Sequence, residues 1–248
     1  MQELFGLEEI EDFPPRYNIA PTQPILIIAG DRRRAEGDNR TDRRALLARW
    51  GFLPGWVKDP AEFPLLINAR SETAAEKASF RAAMRHRRVL IAASGFYEWH
   101  RPPKGSNEKS TPYWIKPKHG GIVAFGGLLE TYMSADGAEI DTAAVLTTAA
   151  NQMIARVHDR MPVVIRPEDF SRWLDCLNQE PRHVSDLMAP APDDYFEAIR
   201  VSDLVNKVAN SGPEVQEPAT DEFAPPEQAK PVRKAKAAVP PSDQLKLF

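Results

Sequence analysis

The chain has 248 residues, a net charge of -3 and a 42% apolar content, enough for one sizeable domain with a buried core. Its single cysteine, Cys176, excludes an internal disulfide framework and a multi-cysteine zinc site. No stretch approaches the ~20 consecutive apolar residues that span a bilayer, and the charge carries no duplex-coating basic signature, so any nucleic-acid contact must rest on a local patch.

The opening residues Met1-Gln2-Glu3-Leu4 carry no basic segment followed by an apolar one, which predicts a cytoplasmic protein. Arg16-Tyr17-Asn18-Ile19-Ala20-Pro21 combines a cation, an aromatic and an amide in a stretch that Pro21 keeps out of helix. It suits either a grip on phosphate and base or a polar strand entry. Pro24 to Ile28 follows as a short apolar run and reads as a strand. Arg49-Trp50-Gly51-Phe52-Leu53-Pro54-Gly55-Trp56 sets aromatics among turn residues, which fits a stacking platform for unpaired bases or ordinary core packing. Asn68-Ala69-Arg70-Ser71-Glu72-Thr73 comes after the apolar Leu65-Leu66-Ile67. It is expected to join a strand end to a helix running from Glu72 to Arg87 with Phe80 and Met84 on one face. Capping accounts for Ser71 to Thr73 and leaves Asn68 and Arg70 less explained.

Val89 to Ala93 is a second strand. Gly95-Phe96-Tyr97-Glu98-Trp99 then places one carboxylate among three aromatics, a setting that raises a carboxyl pKa. Glu98 is the best acid–base candidate, the alternative being an edge strand with Glu98 facing water. Gly121 to Phe125 and Ala143 to Thr147 add two more strands. His158 lies in Ala155-Arg156-Val157-His158-Asp159-Arg160-Met161-Pro162, where an imidazole can hold or transfer a proton near neutral pH or serve structure alone. A second helix is expected from Pro167 through Trp173, Leu174 and Leu177, with proline near its first position and acids in its first turn. No G-x-G-x-x-G, P-loop or G-x-S-x-G pattern is present. Strands outnumber helices without regular βαβ spacing, which predicts an α+β domain with a curved, largely antiparallel sheet over residues 1–210. Residues 211–248 are rich in Pro, Ala, Glu and Lys and read as a disordered tail.

Taken in order, R-Y-N-I-A-P at 16–21, W-G-F-L-P-G-W at 50–56, N-A-R-S-E-T at 68–73, G-F-Y-E-W at 95–99 and H-D-R-M-P at 158–162 resemble the SOS-response-associated peptidase (SRAP) family. The resemblance covers about Arg16 to Asn210, with Val201 to Asn210 similar to the family's closing strand and asparagine. It implies an abasic-site processing protein acting on single-stranded DNA. In that family an N-terminal cysteine captures the ring-opened aldehyde as a thiazolidine and also frees itself from the initiating methionine. By resemblance Asn68, Glu98 and His158 are the catalytic residues, Arg70 holds a flanking phosphate, and Arg16, Asn18, Trp50 and Trp56 line the strand path. No metal or other cofactor is implied, and a monomer is expected at the nucleoid. The family's M-C-G-R-[FY] opening is absent before Met1-Gln2, which predicts a true start further upstream. Cys176 has no α-amine and cannot replace the missing residue. The alternative reading is a non-catalytic adaptor that binds single strands. Finally, Gln244-Leu245-Lys246-Leu247-Phe248 resembles the Q-L-x-L-F peptide of bacterial repair proteins that dock on the replication sliding clamp. Leu247 and Phe248 would be its anchors, with Gln244 at the rim and Leu245 between.

Overall fold

Runs of apolar residues without polar alternation need cover on both faces, and the computed structural model supplies it. It describes residues 1–8, 14–30, 43–103 and 105–219. In chain order the elements are α1 (Gln2–Phe5), β1 (Pro24–Gly30), β2 (Arg43–Trp50), β3 (Asn68–Arg70), α2 (Arg81–His86), β4 (Arg88–Ala93), β5 (Phe96–His100), β6 (Thr111–Pro117), β7 (Val123–Met133), β8 (Glu139–Ala149), β9 (Arg160–Pro162), β10 (Val164–Ile165), α3 (Phe170–Leu174) and β11 (Phe196–Arg200).

The expected α+β architecture is observed, and the sheet curves until it closes. Strands β7, β4, β1 and β2 pair antiparallel in that order. The ring is completed by β8, which lies parallel to β2 through Trp50 and Ala143 and returns antiparallel to β7. Closure of this kind removes unpaired strand edges. Alternate residues then divide between two cores. Ile28, Leu90, Leu128 and Leu146 pack with Met84, Phe170 and Trp173 of the helices. Ile27, Ile91, Phe125 and Val145 pack against a separate sheet, β5–β6–β11, through Tyr113, Ile115 and Phe196. Gly95 makes the corner between the two sheets: a Cβ there would lie 2.5 Å from the Ile115 carbonyl oxygen, so only glycine lets the chain cross.

Several expectations are corrected. The helix predicted from Glu72 to Arg87 reduces to α2, preceded by turns. Its composition favours helix, but the buried residues of 71–80, Ala74 and Phe80, are six apart and fall on different sides of a helix. Packing on the sheet therefore overrides propensity. The helix predicted through Leu177 ends at Leu174, where the buried Arg88 guanidinium donates to the carbonyls of Trp173, Asp175 and Gln179. The Asp175 carboxylate accepts the Leu177 and Asn178 N–H groups and turns the chain outward. Cys176 is buried as expected, in that turn rather than in a helix. The strand expected from Gly121 begins at Val123, after two glycines with positive φ.

The closing strand is β11, which ends at Arg200; Val201 to Asn210 is a bridge followed by a 3-10 turn. Packing continues beyond the expected boundary at Asn210: Val215 is fully buried with Val201 and Val205, and the Ala219 N–H reaches the Arg200 carbonyl. Residues Gln244, Leu245, Leu247 and Phe248 lie outside the described residues. Among the described residues no helix is long and apolar enough to cross a membrane.

Candidate active site

The end of β8 organises the site, because two short strands pair with it on opposite edges. β3 runs parallel to it, with Asn68 opposite Val145 and Arg70 opposite Thr147. β9 runs antiparallel, with Pro162 opposite Thr147 and Arg160 opposite Ala149. Strand alternation buries Ala69 and leaves Asn68 and Arg70 exposed, two residues apart on one face. Arg70 makes no side-chain hydrogen bond or ion pair within the described residues.

Glu98 arrives from the other sheet, on β5, whose partner is β6. Its carboxylate oxygen Oε1 lies 3.9 Å from His158 Nδ1, with 27% of the Glu98 side chain and 32% of the His158 side chain exposed. The edge-strand alternative and the acid–base reading thus both describe part of Glu98: β5 is an edge, yet the carboxylate is mostly covered. Burial pushes its carboxyl above the usual range, against the lowering influence of His158, a backbone hydrogen bond at Trp99 and Arg101. His158 Nδ1 lies 3.0 Å from the Arg160 backbone nitrogen, a contact that favours the neutral ring with its proton on Nε2, and 3.3 Å from the Arg160 carbonyl oxygen, which favours the other tautomer. Asp159 Oδ1 also approaches Nδ1, at 3.4 Å.

Sequence reasoning passed over Arg160 and Glu72. The Arg160 guanidinium holds the Glu72 carboxylate with two hydrogen bonds, 2.6 and 2.8 Å, and donates to the Thr147 carbonyl at 2.6 Å. That contact holds the Glu72 carboxyl at about 2, well below its usual 4.5. The turn after Asn68 and Arg70 is thereby tied to the strand that begins beside His158. The only sequence signal was that Glu72 and Arg160 stand inside two of the motifs.

The remaining expected residues fall in different settings. Arg16 donates to the Pro24 carbonyl and to Gln23 Oε1, shaping the entry to β1. Asn18 is buried, and its amide donates to the carbonyls of Val205, Lys207 and Asn210. Trp50 is half-buried and gives its indole N–H to the Ile67 carbonyl, pinning the approach to β3. Next to it Gly51 has φ 139, which explains a glycine between two aromatics. Trp56 is 60% exposed and meets Phe63 edge to face at 5.5 Å.

Fold and site define an α+β barrel protein with a carboxylate–imidazole pair linked to exposed amide and guanidinium groups. The chain belongs to the SOS response associated peptidase (SRAP) family, whose sequence pattern matches residues 1–208. It is 38% identical over 219 residues to the abasic site processing protein YoqW of Bacillus subtilis (strain 168), covering 87% of this chain and 92% of that one. Identity to the abasic site processing protein YedK of Escherichia coli (strain K12) is 31% over 207 residues, covering 82% and 84%. A crystal structure of a protein from Bordetella bronchiseptica superposes with a TM-score of 0.66 at 24% identity, covering 82% of this chain and 94% of that one, and shares the fold.

Proposed function

We propose that this protein processes abasic sites in single-stranded DNA. The observation that carries the reading is the Glu98–His158 pair, 3.9 Å apart, the first on β5 and the second in the loop before β9. The relatives' names supply the substrate: several are abasic site processing proteins. Arg70, exposed and unpaired, takes a phosphate beside the lesion. Asn68 orients the opened sugar, and Trp56 offers an aromatic face to a neighbouring base. Arg16, Asn18 and Trp50 act by shaping the path, since their polar groups are engaged with backbone.

Acid–base work divides between two residues. The Nε2–H of His158 hydrogen-bonds the ring oxygen as the sugar opens to its aldehyde, while the Glu98 carboxyl group, whose pKa burial raises, takes the proton of the anomeric hydroxyl and returns one to the ring oxygen. Covalent capture needs a cysteine with a free α-amine. The amine nitrogen attacks the aldehyde carbon and water leaves to give an imine. The thiolate sulfur then adds to that carbon, the C=N electron pair returns to nitrogen with a proton, and a thiazolidine closes. Cys176 cannot act so, being buried with its sulfur accepting the Arg88 N–H and its nitrogen in a peptide bond. Capture, and removal of an initiating methionine, are therefore proposed for the chain preceded by Met-Cys-Gly-Arg. The same burial of Cys176 supports a second reading for residues 1–248 alone, a binding adaptor without crosslinking chemistry.

The test compares the two forms on abasic single-stranded DNA by denaturing gel. The extended form is expected to crosslink and residues 1–248 to bind only reversibly. In the extended form Glu98→Gln and His158→Ala should each slow capture by ~10²- to 10⁴-fold with little change in binding. Unmutated rates in both variants would overturn the site assignment. The Gln244–Phe248 ending is proposed to dock on the replication clamp and so raise the local concentration of the domain near exposed single strands. Equal clamp affinity with and without those residues would refute docking.

A further inference from the structure

Four groups compete for His158 Nδ1, and they favour different tautomers. Asp159 Oδ1 at 3.4 Å and Glu98 Oε1 at 3.9 Å are both acceptors that draw a proton onto Nδ1. The Arg160 carbonyl oxygen, 3.3 Å away, would do the same. Only the Arg160 backbone N–H, at 3.0 Å, requires a bare lone pair there. The tautomer with its proton on Nε2 thus depends on where the Arg160 backbone is held.

That backbone is held by the pairing of β9 with β8, where Arg160 lies opposite Ala149, and by its own side chain. The guanidinium spans Glu72, on the turn after β3, and the Thr147 carbonyl on β8. An ordinary surface ion pair is worth little and leaves its remaining donors in water. Here the guanidinium is mostly buried, with 19% of the Arg160 side chain exposed, and its Nε has no hydrogen-bond partner among the described residues. Resting on the acid–base reading given above, we propose that Glu72 and Arg160 form a positioning pair that fixes His158 as its Nε2–H tautomer in register with Asn68 and Arg70. Neither residue touches the reacting atoms in this role.

The experiment reads the tautomer directly, on the full 248-residue chain without DNA, by ¹⁵N NMR of the imidazoles. His158→Gln assigns the signals among the five histidines. In the parent, neutral His158 should show protonated Nε2 and bare Nδ1. Glu72→Gln and Arg160→Lys should each move the population toward Nδ1–H by about fivefold, as expected for weakening one net hydrogen bond. Should Arg160→Lys fail to fold, Glu72→Gln decides alone, its side chain being 50% exposed. An unchanged tautomer in a folded Glu72→Gln protein, whatever its stability, would overturn the proposal. Abasic-site chemistry is measured separately: a parent with the expected tautomer and no dependence on His158 would sink the functional reading and leave the positioning pair standing.

Discussion

Removing the charge of Glu72 should destabilise the protein in a way that depends on pH with a defined sign. The Arg160 hydrogen bonds hold the Glu72 carboxyl at about 2 against an ordinary 4.5. Taken at face value that shift corresponds to about 3 kcal/mol of preference for the charged form. Half of the Glu72 side chain is exposed, at 50%, so solvent and salt screen the pair, and ~1 kcal/mol is the expected contribution. A folded-state pKa below the unfolded one gives stability that is present above 4.5 and lost as pH falls toward about 2. Urea unfolding of parent and Glu72→Gln proteins at neutral pH should therefore differ by ~1 kcal/mol, or about 2–4 °C in melting temperature. The difference should shrink as pH is lowered through that window, and shrink again in ~1 M salt at neutral pH. A stability gap that stays constant across the acid range would show that the shape of the side chain, not its charge, was at stake, and would refute the reasoning.

Glu98→Gln should behave in the opposite sense. Burial raises the Glu98 carboxyl above 4.5, so the native state keeps a proton that the unfolded chain has lost, and the carboxyl's contribution falls as pH rises through the raised value. Relative to the parent, the variant should gain stability between about pH 4 and pH 8, and an equal difference at both ends would contradict this. Asn18→Ala strips hydrogen bonds from the carbonyls of Val205, Lys207 and Asn210 and should cost ~1–3 kcal/mol. Hydrogen exchange should then rise selectively over residues 201–219, and unchanged protection there would count against a clamp on this segment. Trp56→Ala should weaken single-strand binding by ~1–3 kcal/mol while leaving the melting temperature nearly unchanged, because most of the indole is exposed. An affinity equal to the parent's would remove Trp56 from the strand path.

By itself the sequence determined the chemistry available and the local conformations that depend on near neighbours. Pro24 to Ile28 and Val89 to Ala93 are apolar, carry Ile and Val, and are bounded by turn residues, so they read as strands, and both are strands with most of their residues buried. The five motifs identified the family, because residues needed for one chemistry recur at fixed places along the chain. What depends on distance through space was not legible. Helix-forming composition over 72–80 yielded to the demand that Ala74 and Phe80 both reach the core. Glu98 and His158 are far apart in sequence and meet only because Gly95 turns the chain from one sheet to the other and β9 pairs beside the end of β8. Asn18 read as a DNA-facing amide because its donors are visible in sequence, whereas the carbonyls that take them, on residues 205–210, come close only in the fold. For the Glu72–Arg160 pair the only signal was membership of two motifs: an ion pair leaves no periodicity when one member lies on a turn and the other on a distant strand, and only the pairing of β3 and β9 with β8 brings them together.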